Sequence, residues 1–155
     1  MNTIHTTLEH DPICVGLDVS RDTLDACLLQ GKNKPLHKQF ANDEAGFALL
    51  LKWTHAQAPD QSTHFCLEAT GSYSTGVALY VAQHEQRVSV VNPARIRFFG
   101  LCQRQGNKTD KAAAALIALF CQREQPALWR AAAPEVQLLL ALVRRLHVRL
   151  VKTAS

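Results

Sequence analysis

Short apolar runs of strand length alternate in this chain with stretches whose apolar residues recur at helical spacing. That alternation confines it to an α/β fold, a mixed sheet flanked by helices. Ile13 to Val19 is the first run, broken by Gly16 and interrupted by Asp18. Leu24 to Leu29 follows, and Gly31 to Pro35 supplies turn residues before Leu36 to Phe40, so three strands in a meander are predicted. Asn42 or Asp43 can cap a helix carrying Phe47, Leu50, Leu51 and Trp53 to about Gln57, where Ala58-Pro59-Asp60 stops it. His64 to Leu67 is a short strand ending at Glu68. Gly71 then turns the chain into a helix with Val77, Tyr80 and Val81, and Val88 to Val91 is a further strand closed by Asn92-Pro93. Strands separated by helices need crossovers, so parallel pairs are expected in the sheet.

Ala94 to Gln105 interleaves Ile96, Phe98, Phe99 and Leu101 with Arg95, Arg97 and Arg104, and reads as a helix or a partly mobile loop. Thr109 caps a predicted alanine-rich helix from about Asp110 to Arg123, which Pro126 ends. After Pro134 a last helix sets Val136, Leu139, Val143, Leu146 and Leu150 at alternating spacings of three and four, with Arg144, Arg145, Arg149 and Lys152 on its other faces. Such a seam suits a coiled coil, and two heptads of it suit an amphipathic helix packed on its own domain as well. An apolar helix at the end of the sequence is expected of a truncated chain or a dimer. The predicted organisation is a flexible N-terminus over 1–12, one domain over 13–125 and a C-terminal helical segment over 126–155.

Composition narrows the class. With 155 residues and 47% hydrophobic content the chain can bury a core and is not disordered. Seventeen basic against 13 acidic residues leave a net charge of +4, which permits a polyanionic partner without demanding one. The five cysteines stand singly with no C-x-x-C pair, so they read as small core residues in a reducing compartment. The seven histidines lack the spacing that puts two imidazoles on one helical face, which argues against zinc. No apolar run approaches the roughly 18 residues of a membrane span, and the opening Met1 to Asp11 has no secretory core, so a cytoplasmic protein with no membrane partner is expected.

Chemistry centres on three carboxylates. Asp18 and Glu68 each close a strand, and Asp110 opens a helix just after Gly106-Asn107-Lys108-Thr109. If the two strands are parallel neighbours, Asp18 and Glu68 emerge at one sheet edge, where open α/β folds place their sites. Clustered carboxylates repel and must take up protons or hold a cation, and hard oxygen ligands favour Mg²⁺ or Mn²⁺. Two such ions about 3.5 to 4 Å apart can serve phosphodiester chemistry. Each residue also has a plainer role to fill, as turn, strand terminus or helix-dipole partner.

Val15-Gly16-Leu17-Asp18-Val19-Ser20, Leu67-Glu68-Ala69-Thr70-Gly71-Ser72-Tyr73, Val91-Asn92-Pro93 and Lys108-Thr109-Asp110 resemble, in order and spacing, the DEDD-type insertion-sequence transposases, a group that includes the pilin-gene invertases. The resemblance runs from about Ile13 to Gln125. It implies a RuvC-like member of the ribonuclease H fold that cleaves and joins DNA, with Asp18, Glu68 and Asp110 as metal ligands. The family's third acidic motif reads K-T-D-x-x-D-A, which would set a fourth carboxylate at position 113; this chain has Ala113 there. A methyl group cannot coordinate a cation, so an impaired or inactive form is expected. The resemblance further implies a second, carboxy-terminal domain beyond the last helix, a coiled coil supporting homo-oligomers and, as in several members, a guide RNA bridging donor and target DNA. Arg95, Arg97, Arg104, Lys108 and Lys111 lie near the acidic residues in sequence and are candidates for holding phosphates.

Two other classes compete. A Gly-x-Asp closing a first strand also occurs in actin-like ATPases and sugar kinases, but Gly71 to Gly76 is followed by Val77-Ala78, where a phosphate loop needs a lysine and a hydroxyl. A non-catalytic nucleic-acid-binding and dimerisation module would keep the fold and dispense with the missing carboxylate.

Overall fold

The computed structural model describes residues 12–103, 110–131 and 133–154, and at positions 110, 111, 136, 137 and 140 the backbone alone. Five strands form one sheet in the order β3-β2-β1-β4-β5: β1 (Ile13–Val19), β2 (Thr23–Gln30), β3 (Leu36–Ala41), β4 (Thr63–Glu68) and β5 (Arg87–Val91). The first three form the predicted antiparallel meander, and β1–β4 and β4–β5 are the parallel pairs that the intervening helices require.

Period-two alternation sorts the strand residues onto two faces. Val15, Leu17, Leu24, Ala26, Phe40, Phe65 and Leu67 point into the larger core, which Phe47 and Leu50 of α1 (Glu44–Gln57) and Val77 and Val81 of α2 (Thr75–Gln83) complete. Asp43 rather than Asn42 caps α1, its Oδ1 accepting from Gly46 N at 2.7 Å. Asn42 instead ties the β1–β2 turn to the loop after β4, donating from Nδ2 to Ser20 O at 2.8 Å and to Tyr73 O at 3.2 Å.

The opposite face carries Cys14, Gly16, Cys27 and Cys66 and is covered by α3 (Pro93–Cys102) and α4 (Asp110–Glu124). Alanines in α4 let it lie directly on the sheet: a Cβ added to Gly16 would stand 2.2 Å from Ala114 O and 2.4 Å from Ala118 N. Four cysteines are buried as expected; Cys102 is not, because it falls on the outward side of α3. Burial raises the Cys27 thiol to about 11, and the Cys14 and Cys121 thiols are also held well above their usual range. These are inert packing groups.

After α4 the chain returns along β5. Trp129 N donates to Val88 O at 2.8 Å, and the buried Ser89 hydroxyl lies 2.9 Å from Ala127 O and 3.1 Å from Pro126 O. The last helix, α5 (Pro134–Thr153), keeps Leu139, Val143, Leu146 and Leu150 each more than half exposed. Among the described residues no helix is long and apolar enough to cross a membrane.

Candidate functional site

Asp18 is the sixth residue of β1 and Glu68 the last of β4. The parallel register matches Gly16 with Cys66 and Leu17 with Leu67, so the next pair along the ladder is Asp18 beside Glu68. Both lie two residues beyond positions that face α4, hence on that same face. The conditional expectation of a shared sheet edge is thus met for these two. Both side chains are half-buried. The Glu68 carboxyl is held above its ordinary range, first by burial and then by the charge of Asp18, against an opposing pull from the Arg97 guanidinium.

The path of α4 follows from its contacts. Cys121 meets Cys14 near the start of β1, and Ala114 and Ala118 straddle Gly16. The helix therefore runs antiparallel to β1, with its first turn towards Asp18. From Gly16 to Asp18 the strand advances about 6.6 Å, and from Ala114 back to position 110 the helix retreats about 6 Å. The backbone of Asp110 opens α4 at this end. Position 113 lies one turn before Ile117, which packs with Cys66, Val91, Ile96 and Phe99 on the β4 side. Ala113 is half-buried. A carboxylate there would share a helix face with position 110, on the flank nearer Glu68.

One residue escaped the sequence reasoning. Asp25 of β2 is paired directly with Asp18, and residues paired across an antiparallel ladder share a face. It accepts from Gln39 Nε2 at 3.1 Å. Asp25, Asp18 and Glu68 thus form a row across three adjacent strands. The row spans two strand spacings, about 9.6 Å, too wide for one cation to touch both ends. In keeping with this, no group of three or more acidic, histidine or cysteine side chains suited to a metal occurs among the described residues. A tight β1–β2 turn was the available signal, since closing it over Ser20–Asp22 fixes the pairing of Asp18 with Asp25.

Of the basic residues, Arg97 is exposed and within electrostatic reach of Glu68. The Arg95 guanidinium lies 5.3 Å from the centre of the Phe120 ring, a cation–π contact that also braces α3 against α4. Arg104, Lys108 and the side chain of Lys111 lie outside the described residues, as does the predicted Thr109 cap.

A mixed five-stranded sheet with two carboxylates abreast on its central parallel strands defines an α/β domain of the ribonuclease H-like, RuvC-like class. Among solved structures the chain is similar to RuvC of Thermus thermophilus, with a TM-score of 0.52 and 9% identity over 76% of this chain and 99% of that one. It is likewise similar to T. thermophilus RuvC in complex with a Holliday junction substrate, at a TM-score of 0.54 and 9% identity. At that identity the likeness is one of fold. The chain belongs to the DEDD-type insertion-sequence transposase family, whose model, described as a transposase, matches residues 15–155. Pilin gene-inverting proteins of Moraxella bovis and Moraxella lacunata are each 34% identical to it over 135 residues, 86% of this chain. The chain spans 42% of the length of those relatives.

Proposed function

We propose that this chain is the cation-binding, nuclease-type portion of a DNA transposase or recombinase that cleaves and joins DNA strands, with Asp18, Glu68 and Asp110 as ligands for Mg²⁺ or Mn²⁺. The observation that carries this reading is the side-by-side placement of Asp18 and Glu68, where each charge penalises the other and a cation would relieve both. Paired carboxylates on a half-buried edge are hard oxygen donors of the kind a hydrated divalent ion takes. A bound ion would supply stabilisation of charge on phosphodiester oxygens. The residues around it have their own tasks. Strand hydrogen bonding fixes the spacing of Asp18 and Glu68, and Arg97 holds a phosphate beside them. Arg95, Arg104, Lys108 and Lys111 extend the phosphate contacts, so affinity falls as salt rises.

DNA is supported as partner by the transposase family and by a structural neighbour solved with a DNA junction. A guide RNA and assembly of copies through α5 belong to the same reading, the latter supported by the exposed apolar seam of that helix. Ala113 removes a donor from the α4 flank, which weakens cation binding and with it cleavage.

Calorimetric titration of Mn²⁺ and Mg²⁺ into this chain, Ala113→Asp and Asp18→Asn tests the proposal. Tighter or additional binding by Ala113→Asp, and loss of binding in Asp18→Asn, are expected. Equal, weak binding by all three would exclude these residues as ligands. It would favour the second reading, a nucleic-acid-binding and dimerisation module, which Ala113 itself supports.

A further inference from the structure

Helix α3 leaves the sheet directly after Val91, the β5 residue paired with Glu68, so it begins at the acidic row. Its inward side is firmly seated. Ile96 and Phe99 are buried, Phe99 meets Phe120 edge to face at 5.4 Å between ring centres, and a Cβ on Gly100 would come within 2.8 Å of Leu116 Cδ2. Its outward side is unlike the rest of the domain. Among the described residues outside α5, the two most exposed large apolar side chains are Leu101 at 73% and Phe98 at 70%, both on this helix and one turn apart. Arg97, next to Phe98 in the chain, is exposed as well, and α3 carries two arginines and no acidic residue.

Leaving a phenylalanine in water forfeits the stabilisation that burial gives, and among the described residues no ring contact involves Phe98. An aromatic face beside a guanidinium, on a helix of uniform positive charge, is the arrangement that takes a base on the ring and the adjoining phosphate on the cation. A purely apolar protein surface would cover the ring and leave the arginines without a matching anion; a paired duplex would satisfy the arginines and offer the ring no open base face.

We propose that Phe98 is a stacking platform for an unpaired base of a nucleic acid strand whose phosphate is held by Arg97, so that this face of α3 binds single-stranded or locally opened substrate at the edge of the acidic row. This rests on the nucleic-acid reading above and adds to it the strandedness of the substrate and the residue that senses it. Phe98 contacts the base and takes no part in bond making.

The test uses the 155-residue chain, without divalent ions, and oligonucleotides carrying a fluorescent adenine analogue either in a single strand or within a duplex. Stacking quenches the analogue, and anisotropy reports affinity. Quenching by the unaltered chain is expected only on the single strand. Phe98→Ala should abolish the quenching and weaken single-strand binding about tenfold with duplex binding unchanged. Phe98→Trp should restore both, whereas Phe98→Leu, apolar but without a π-face, should not. Retained quenching in Phe98→Ala, or equal rescue by Phe98→Leu, overturns the stacking assignment while leaving nucleic-acid binding intact. Absence of any salt-dependent binding by the unaltered chain overturns both this inference and the nucleic-acid reading beneath it.

Discussion

Gly16 sets the distance between α4 and the sheet, because its missing side chain is the space that Ala114 O and Ala118 N occupy. Gly16→Ala forces backbone against backbone, with no flexible side-chain end to give way. A cost of about 3 kcal/mol is expected, or roughly 6–12 °C in Tm by differential scanning fluorimetry. Since α4 carries Asp110 at its first turn, cation affinity should fall with it. A variant with unchanged Tm would mean that α4 does not approach β1 as described. His64 provides a second test. Its ring is buried, Nε2 lies 2.7 Å from Ser89 Oγ, and burial with the nearby Arg87 charge pushes its pKa down to about 4. Because Ser89 gives its proton to a carbonyl of Ala127 or Pro126, the neutral imidazole donates from Nε2. The unfolded chain binds this proton near pH 6.5 and the folded chain near 4. The stability that neutral His64 contributes is therefore full above about 6.5 and is lost as pH falls towards 4, amounting to about 3 kcal/mol. Denaturant melts of the chain and of His64→Gln between pH 7 and 4 should converge as acid is added; a constant gap would refute the assignment.

At the scale of elements, the strands were legible because each is short, apolar and punctuated: Gly31 to Pro35, Ala58-Pro59-Asp60 and Asn92-Pro93 fall at the boundaries the structure has. The pairing of Asp18 with Glu68 followed only once β1 and β4 were parallel neighbours, a fact of topology that periodicity does not hold. Asp25 stayed hidden for the opposite reason. Its alignment is local, but within Leu24 to Leu29 a lone acid looks like an interruption until its partner across the hairpin is known. The exposure of Phe98 was equally unreadable, since Phe98 and Phe99 are adjacent in sequence and only packing on α4 decides which one is buried. Helix α4 was clear in extent, and its purpose became clear with Gly16: the run of alanines is what a helix needs to sit on a strand glycine. The family resemblance proposed the site from four short motifs, where the strand register placed two carboxylates side by side and the start of α4 towards them.

For the whole molecule, α5 presents the largest unresolved balance of forces. Eight of its leucines and valines are between 48% and 67% exposed, on a helix whose other faces carry Arg144, Arg145, Arg149 and Lys152. An isolated amphipathic helix of this length gains little from its own hydrogen bonds, so it needs a surface for the seam. A second α5 offers a matching apolar stripe, and two seams facing each other would leave both basic faces outward for nucleic acid. Sedimentation equilibrium should therefore find concentration-dependent self-association of the 155-residue chain. Leu139→Glu with Leu146→Glu, in the seam, should shift it to monomer, while Arg145→Glu, off the seam, should leave assembly intact and reduce nucleic-acid affinity with a shallower salt dependence. A chain that remains monomeric at high concentration would instead assign the seam to another partner and confine the cation and nucleic-acid proposals to a single copy of the domain.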